Sequence, residues 1–400
     1  MAKGSRTSGA AALEVGAPSV GANAAGRMTG IDAARGIAMV FVCVSHVRYH
    51  FHDSVPALYS LLTNVTRLAT PTFLLLSGFV AAYVLSSGKR AARINLIDRG
   101  LFVLFAGHLL LNWVELSRIS FQEWIFARVT VTDAIAISLM IAALATRLPA
   151  ALLAIVGATL AIVSWPIAML WEPVAPAARY LGITLFNVRS EASPLADSAV
   201  VPYVGLFLIG MSLSRWCSAQ LAARDYVAAA RKLTRVALIA VSSVLASILM
   251  WYLLKPVLLE SMSPPTLDFA RLTLDPRSKL PPSPAYFAFY GGGGLLIAAI
   301  CLIARPAFLV RPIVNWAATL GRASLMCFVV QDWLFVLTPA LLGFTKLQSI
   351  PFWTAYLIVS LLVLHAFAMR WDRVRANRFL TIGLKQSYAA RQANRSFARS

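Results

Sequence analysis

Ten mostly apolar stretches, at 31–51, 68–87, 97–115, 130–147, 149–171, 200–216, 234–255, 285–304, 322–342 and 352–370, restrict what this chain can fold into. They fall near the roughly 17–25 residues a helix needs to cross a bilayer. Hydrocarbon offers no water to satisfy backbone N–H and C=O groups, so a spanning segment of this length is helical. The fold class expected is all-α: a polytopic membrane helical bundle of about ten transmembrane helices. The composition agrees, with 59% hydrophobic and 13% charged residues, where a soluble domain carries about 25% charged. The fourth and fifth stretches meet in a tight hairpin through Arg147-Leu148-Pro149.

A net charge of +20, from 36 basic and 16 acidic residues, raises the question of nucleic acid. The distribution answers it through the positive-inside rule. With the N-terminus in the cytoplasm, the inner connections hold Lys89, Arg90, Arg93 and Arg99, then Arg215, Arg224, Arg231, Lys232 and Arg235, then Arg305, Arg311 and Arg322. Outer loops are nearly balanced: Arg179 and Arg189 stand against Glu172, Glu191 and Asp197. Both termini of a multi-pass cell (inner) membrane protein are therefore expected in the cytoplasm, and nucleic-acid binding is not needed. Residues 1–27, rich in Ala, Gly and Ser, read as a disordered cytoplasmic tail without signal-peptide order, and Met28 is a second candidate start. Residues 28–372 read as one transmembrane domain without internal repeat, and 373–400 as a basic cytoplasmic tail. Four separated cysteines (Cys43, Cys217, Cys301, Cys327) exclude a disulfide framework or a Cys-rich zinc site.

The first stretch carries Asp32, Arg35 and His46. An ionisable residue inside a membrane helix costs about 2.5–3.5 kcal/mol on insertion scales and is by default a functional-site candidate. Asp32, Arg35, Met39, Val42 and His46 follow a three-four-three-four step, so they share one helix face. At ~1.5 Å per residue, His46 lies roughly 21 Å from Asp32. His46 suits a general base near neutral pH. Asp32 and Arg35 read either as an intrahelical ion pair or as a site for an anionic ligand, and the two are compatible. His46 and His50 lack a third ligand of matching spacing, so no metal is expected.

Other spans add polar groups. Pro71 starts or bends the second, and Ser77-Gly78 allows close helix approach. In the third, Arg99 completes a cationic cluster with Lys89, Arg90 and Arg93, suited to phosphate; His108, Asn112 and Glu115 form a stripe running outward. Gly291-Gly292-Gly293-Gly294 marks a bend, a tight crossing or an unwound section. The ninth holds Gln331 and Asp332 mid-span, where Asp332 needs a partner such as His108 or Arg35.

These residues resemble the membrane acyltransferase superfamily that includes heparan-α-glucosaminide N-acetyltransferase, acyltransferase family 3 and the glucan succinyltransferases. Asp32, Arg35, Gly36, Ala38 and His46 resemble its Asp-x-x-Arg-Gly-x-Ala run ending in His. Thr70-Pro71-Thr72-Phe73 through Ser77-Gly78 is similar to its second span, Arg99-Gly100-Leu101 to the start of its third, and Leu320-Gly321-Arg322-Ala323-Ser324 to a late Leu-Gly-x-x-Ser element. The first two spans read much like the bacterial heparan-α-glucosaminide N-acetyltransferase-like proteins. The late Ser element usually runs on into a His in acyltransferase family 3; here Gln331-Asp332 stands in that neighbourhood. The resemblance implies transfer of an acetyl, succinyl or similar group from cytoplasmic acyl-CoA, as co-substrate, to a hydroxyl or amine of a glycan-type acceptor on the outer side, with His46 catalytic. Arg35, Arg93 and Arg99 would then hold the donor, with Asp32, Ser77, His108, Asn112 and Asp332 in support. The competing class is a proton-coupled transporter or lipid flippase, which uses intramembrane His, Asp and Glu equally well.

Overall fold

The structure, a computed structural model, describes residues 28–48, 55–88, 90–112, 129–188, 198–304, 310–344, 349–374, 380–384 and 386–387. The 1–27 tail, His50, His52, Lys89 and Glu115 lie outside the described residues. The described residues are all-α, apart from one isolated bridge between Lys279 and Pro282. In chain order the main helices are α1 (Thr29–Val47), α2 (Pro56–Thr66), α3 (Ala69–Leu85), α4 (Arg90–Phe102), α5 (His108–Asn112), α6 (Val131–Leu144) and α7 (Ala150–Leu170). They continue with α8 (Val200–Trp216), α9 (Tyr226–Ser261), α10 (Pro284–Ala304), α11 (Arg311–Arg322), α12 (Ser324–Asp332) and α13 (Ile350–Arg373). One turn of wider π winding, Val103–Gly107, joins α4 to α5, and another, Trp333–Leu337, follows α12.

Among the described residues eight helices are long and apolar enough to cross a membrane, not ten. The two that fall short are α6 and α8, with 14 and 17 residues. At ~1.5 Å per residue they reach about 21 and 26 Å, against roughly 30 Å of hydrocarbon. The reason is burial: α8 packs between α3 and α7 with nearly every side chain covered, so its apolar character serves protein rather than lipid contact. At the other extreme α9, with 36 residues, is mostly exposed along its apolar window and lies at the periphery against α10. The hairpin between α6 and α7 turns at Leu148 and Pro149, as its sequence indicates.

Small residues set the tightest crossings. Without a hydrophobic drive between helices in lipid, close backbone approach is what holds them. A Cβ built on Gly36 of α1 would run into the Ala317 carbonyl of α11, and one on Gly321 of α11 into the Asp32 carbonyl. The glycine run of α10 is likewise a tight crossing, in a continuous helix: Gly292 lies against α9 and Gly294 against Thr72. The Arg322 Nε donates to Asp372 at 2.7 Å, tying α11 to α13. Beyond α13 the chain returns to α4, where the buried Asp98 accepts from the Ile382 N–H at 2.8 Å and from the Thr381 hydroxyl.

Gly36→Ala is therefore expected to lower stability by about 3 kcal/mol, the upper end for overpacking a core. Gly107→Ala is the control, since its Cβ would meet only the Val103 side chain, at 3.5 Å or more. Thermal unfolding of the detergent-purified variants measures both.

Candidate active site

The polar face of α1 borders two cavities stacked along the helix axes. The first, of about 160 Å³, is flanked by Arg35 and Arg99 and also lined by Ser77, Asn95 and Ser324. The second, of about 360 Å³, contains His46 with Gln331 and Asp332, and three cations, Arg48, Arg67 and Lys279. The order of lining residues is consistent on every wall. Arg35 of α1 faces the first chamber and Val42 and His46 the second, while α3, running the other way, offers Thr70 to the second and Ser77 to the first. Arg35 and His46 are thus roughly 16 Å apart along α1 at ~1.5 Å per residue.

In the first chamber Arg35 makes a hydrogen bond and an ion pair. Its Nη2 donates to Ser324 Oγ at 2.7 Å, and Nη1 stands 3.9 Å from Asp32 of its own helix. The intrahelical ion pair therefore coexists with a position on the chamber wall. Ser324 belongs to the Leu-Gly-x-x-Ser element, which was the available signal for it. Arg99 reaches the chamber from α4, whereas Arg93, half-buried on the same helix, does not line it.

The second chamber is built from more distant parts of the chain. Lys279 and Leu280 reach it from the connection between α9 and α10. That connection is braced by Ser283 Oγ donating to the Asp275 carbonyl at 2.9 Å, and by Arg277, whose N–H and Nε donate to Asp275 at 2.8 and 3.0 Å. Burial works against ionised Asp275, but the hydrogen bonds and charge of Arg277, with the charge of Arg67, hold its carboxyl below its usual value. Arg48 donates from Nε to Thr63 Oγ1 at 3.1 Å, so the chamber wall is joined to α2. Two fully buried polar atoms in the lining have no hydrogen-bond partner within the described protein: Ser198 Oγ and Gln331 Oε1. Such orphans are costly in a low-dielectric interior, and both stand in the wall of this chamber.

His108 is placed elsewhere. Its Nδ1 lies 3.0 Å from Asp133 Oδ1, and Asp133 also accepts from the Thr130 N–H and hydroxyl at 2.8 and 2.9 Å. This cluster caps α6 and clasps it to α5; His108 lines neither chamber, and its carboxylate is Asp133 rather than Asp332. Asn112 ends α5, and its side chain lies outside the described residues. The four cysteines are buried and free. Among the described residues no group of three or more His, Cys, Asp or Glu is placed to hold a metal ion.

His108→Ala should consequently lower stability by about 2 kcal/mol, the loss of a charge-assisted hydrogen bond. Thermal unfolding reads it; a larger fall in Asp133→Ala, which strips the α6 cap as well, is the companion result.

Comparison with known proteins then connects this geometry to a chemistry. A family model described as "Heparan-alpha-glucosaminide N-acetyltransferase, catalytic" matches residues 27–256, more than half of the chain. No curated protein and no solved structure matches. The matched region contains Arg35, His46, Ser77 and Arg99, while Ser324, Gln331 and Asp332 lie beyond it.

Proposed function

The chain belongs to the heparan-α-glucosaminide N-acetyltransferase catalytic family and is a multi-pass membrane acyltransferase; we propose that its two chambers are the donor and acceptor halves of one transfer site. The basic connections favour a cytoplasmic Arg35 end, where acyl-CoA is the donor. The first chamber takes the acyl end of the donor and its arm. Guanidinium groups grip phosphate oxygens in pairs. Arg99 and Arg35 hold the donor at the chamber, and Arg93, six residues before Arg99 on α4, meets the nucleotide outside it.

The larger chamber takes a carbohydrate-type acceptor from the far side. Among the described residues its lining holds the cations Arg48, Arg67 and Lys279 and the carboxylate of Asp332. Ser198 and Gln331 accept the acceptor's hydroxyls or amine. The acceptor oxygen or nitrogen attacks the thioester carbonyl carbon and passes its proton to His46. The new acyl bond forms as the C–S bond breaks, and the CoA sulfur leaves with the electron pair. His46 then gives that proton to the departing CoA thiolate, and the carboxylate of Asp332 in the same chamber favours the transient imidazolium. Transfer is direct, since a lone His without a second nucleophile needs fewer parts.

The observation that supports this reading best is that one face of α1 borders both chambers, with a cation at one end and a histidine at the other. The test is transfer from labelled acyl-CoA in membranes. His46→Ala should reduce it at least about 100-fold, as loss of a general base does, while the protein stays inserted and folded. Unchanged transfer would remove His46 from the mechanism. Arg99→Ala should raise the donor KM by roughly tenfold or more, the loss of one charge-assisted contact, and leave the acceptor KM alone. Equal rises in both would contradict its position on the donor side.

A further inference from the structure

The two chambers meet on three shared side chains, Phe73 of α3, Val131 at the start of α6 and Phe328 of α12. The boundary sits at one level on each wall. Ser324 and Leu325 lie on the donor side of Phe328, and Gln331 and Asp332 on the acceptor side; on α6, Thr130 borders only the second chamber and Thr132 and Ile135 only the first. The Phe73 and Phe328 rings pack edge to face, with centroids 6.5 Å apart and planes at 86°. The layer is therefore one side chain thick and made of apolar groups, while polar residues stand one turn away on both sides: Ser77 and Ser324 below, Thr70 and Asp332 above.

This placement has a consequence for the reaction. A donor gripped by Arg35 and Arg99 and a base at His46, roughly 16 Å further along α1, act on the same carbonyl only if the acyl end crosses that layer. The acyl group leads, and its size and charge decide whether it passes. We propose that Phe73, Phe328 and Val131 form the narrows the acyl group traverses, and that they restrict transfer to short, uncharged acyl groups. A straight two-carbon acyl group passes beside two rings in edge contact with little displacement. A longer chain must push them aside, and a carboxylate-bearing group such as succinyl must enter the apolar layer stripped of water, which is unfavourable for any charge without a partner. The inference rests on the two-chamber reading of the site.

The experiment compares acetyl-, butyryl-, octanoyl- and succinyl-CoA as donors for wild type, Phe328→Ala and Val131→Phe, with kcat/KM as the readout. Wild type should favour acetyl. Phe328→Ala should raise the butyryl-to-acetyl and octanoyl-to-acetyl ratios by roughly tenfold or more, the scale on which a pocket discriminates a methylene. Val131→Phe should lower butyryl transfer more than acetyl. If either variant fails to fold, as judged by thermal unfolding, Phe73→Leu and Val131→Leu make the same opening and narrowing more gently. Equal wild-type use of octanoyl or succinyl and acetyl donors would overturn the proposal, as would donor ratios unmoved by both an opening and a narrowing substitution. Absence of transfer from every CoA ester by wild type overturns the two-chamber reading, and the proposal with it. Active wild type with unmoved ratios overturns the proposal alone.

Discussion

A guanidinium among membrane helices must receive its hydrogen-bond acceptors from the protein, because lipid supplies none. Much of the packing around α1 answers that need for Arg35. Asp32 lies one turn before it on the same helix, and Ser324 reaches it from α12. For Ser324 to be in range, α11 and the start of α12 must come close to α1. Gly36 and Gly321 permit this, since side chains at either position would collide with the facing backbone. A polar residue and a pair of glycines, nearly three hundred positions apart, thus belong to one arrangement.

The same close crossing shapes the cavities. Helix α1 presses its small-residue face on α11, which leaves the Arg35–His46 face turned towards α3, α6 and α12. Those helices run past it without filling the space, and the two chambers result. The His108–Asp133–Thr130 cluster, although built of catalytic-type residues, serves the frame: it secures the start of α6, which supplies Val131 to the boundary.

How far the site could be read beforehand differs from residue to residue. Asp32, Arg35 and His46 stood out because charges in an apolar helix are expensive and their spacing put them on one face. Arg99 was legible for the same reason. Ser198 and Lys279 were not, since a serine and a lysine in polar loops look like any others until the fold places them on a wall. His108 was not legible from its own helix: its carboxylate partner Asp133 stands at the start of the next helix, which helical periodicity on one segment cannot reveal.

The sequence by itself determined that this is an all-α membrane protein, which end of α1 carries the cation and which the histidine, and the resemblance to a family of acyltransferases. Those properties follow from local hydropathy, from residue spacing within single helices and from short motifs. Tertiary structure alone decided that two of the expected spans are short buried helices, that Arg35 bonds to Ser324, and that Phe73, Val131 and Phe328 stand where the two chambers meet. Each of these depends on which helix lies beside which. In a bilayer that choice is made by backbone-close packing of small residues, whose partners lie far away in the chain.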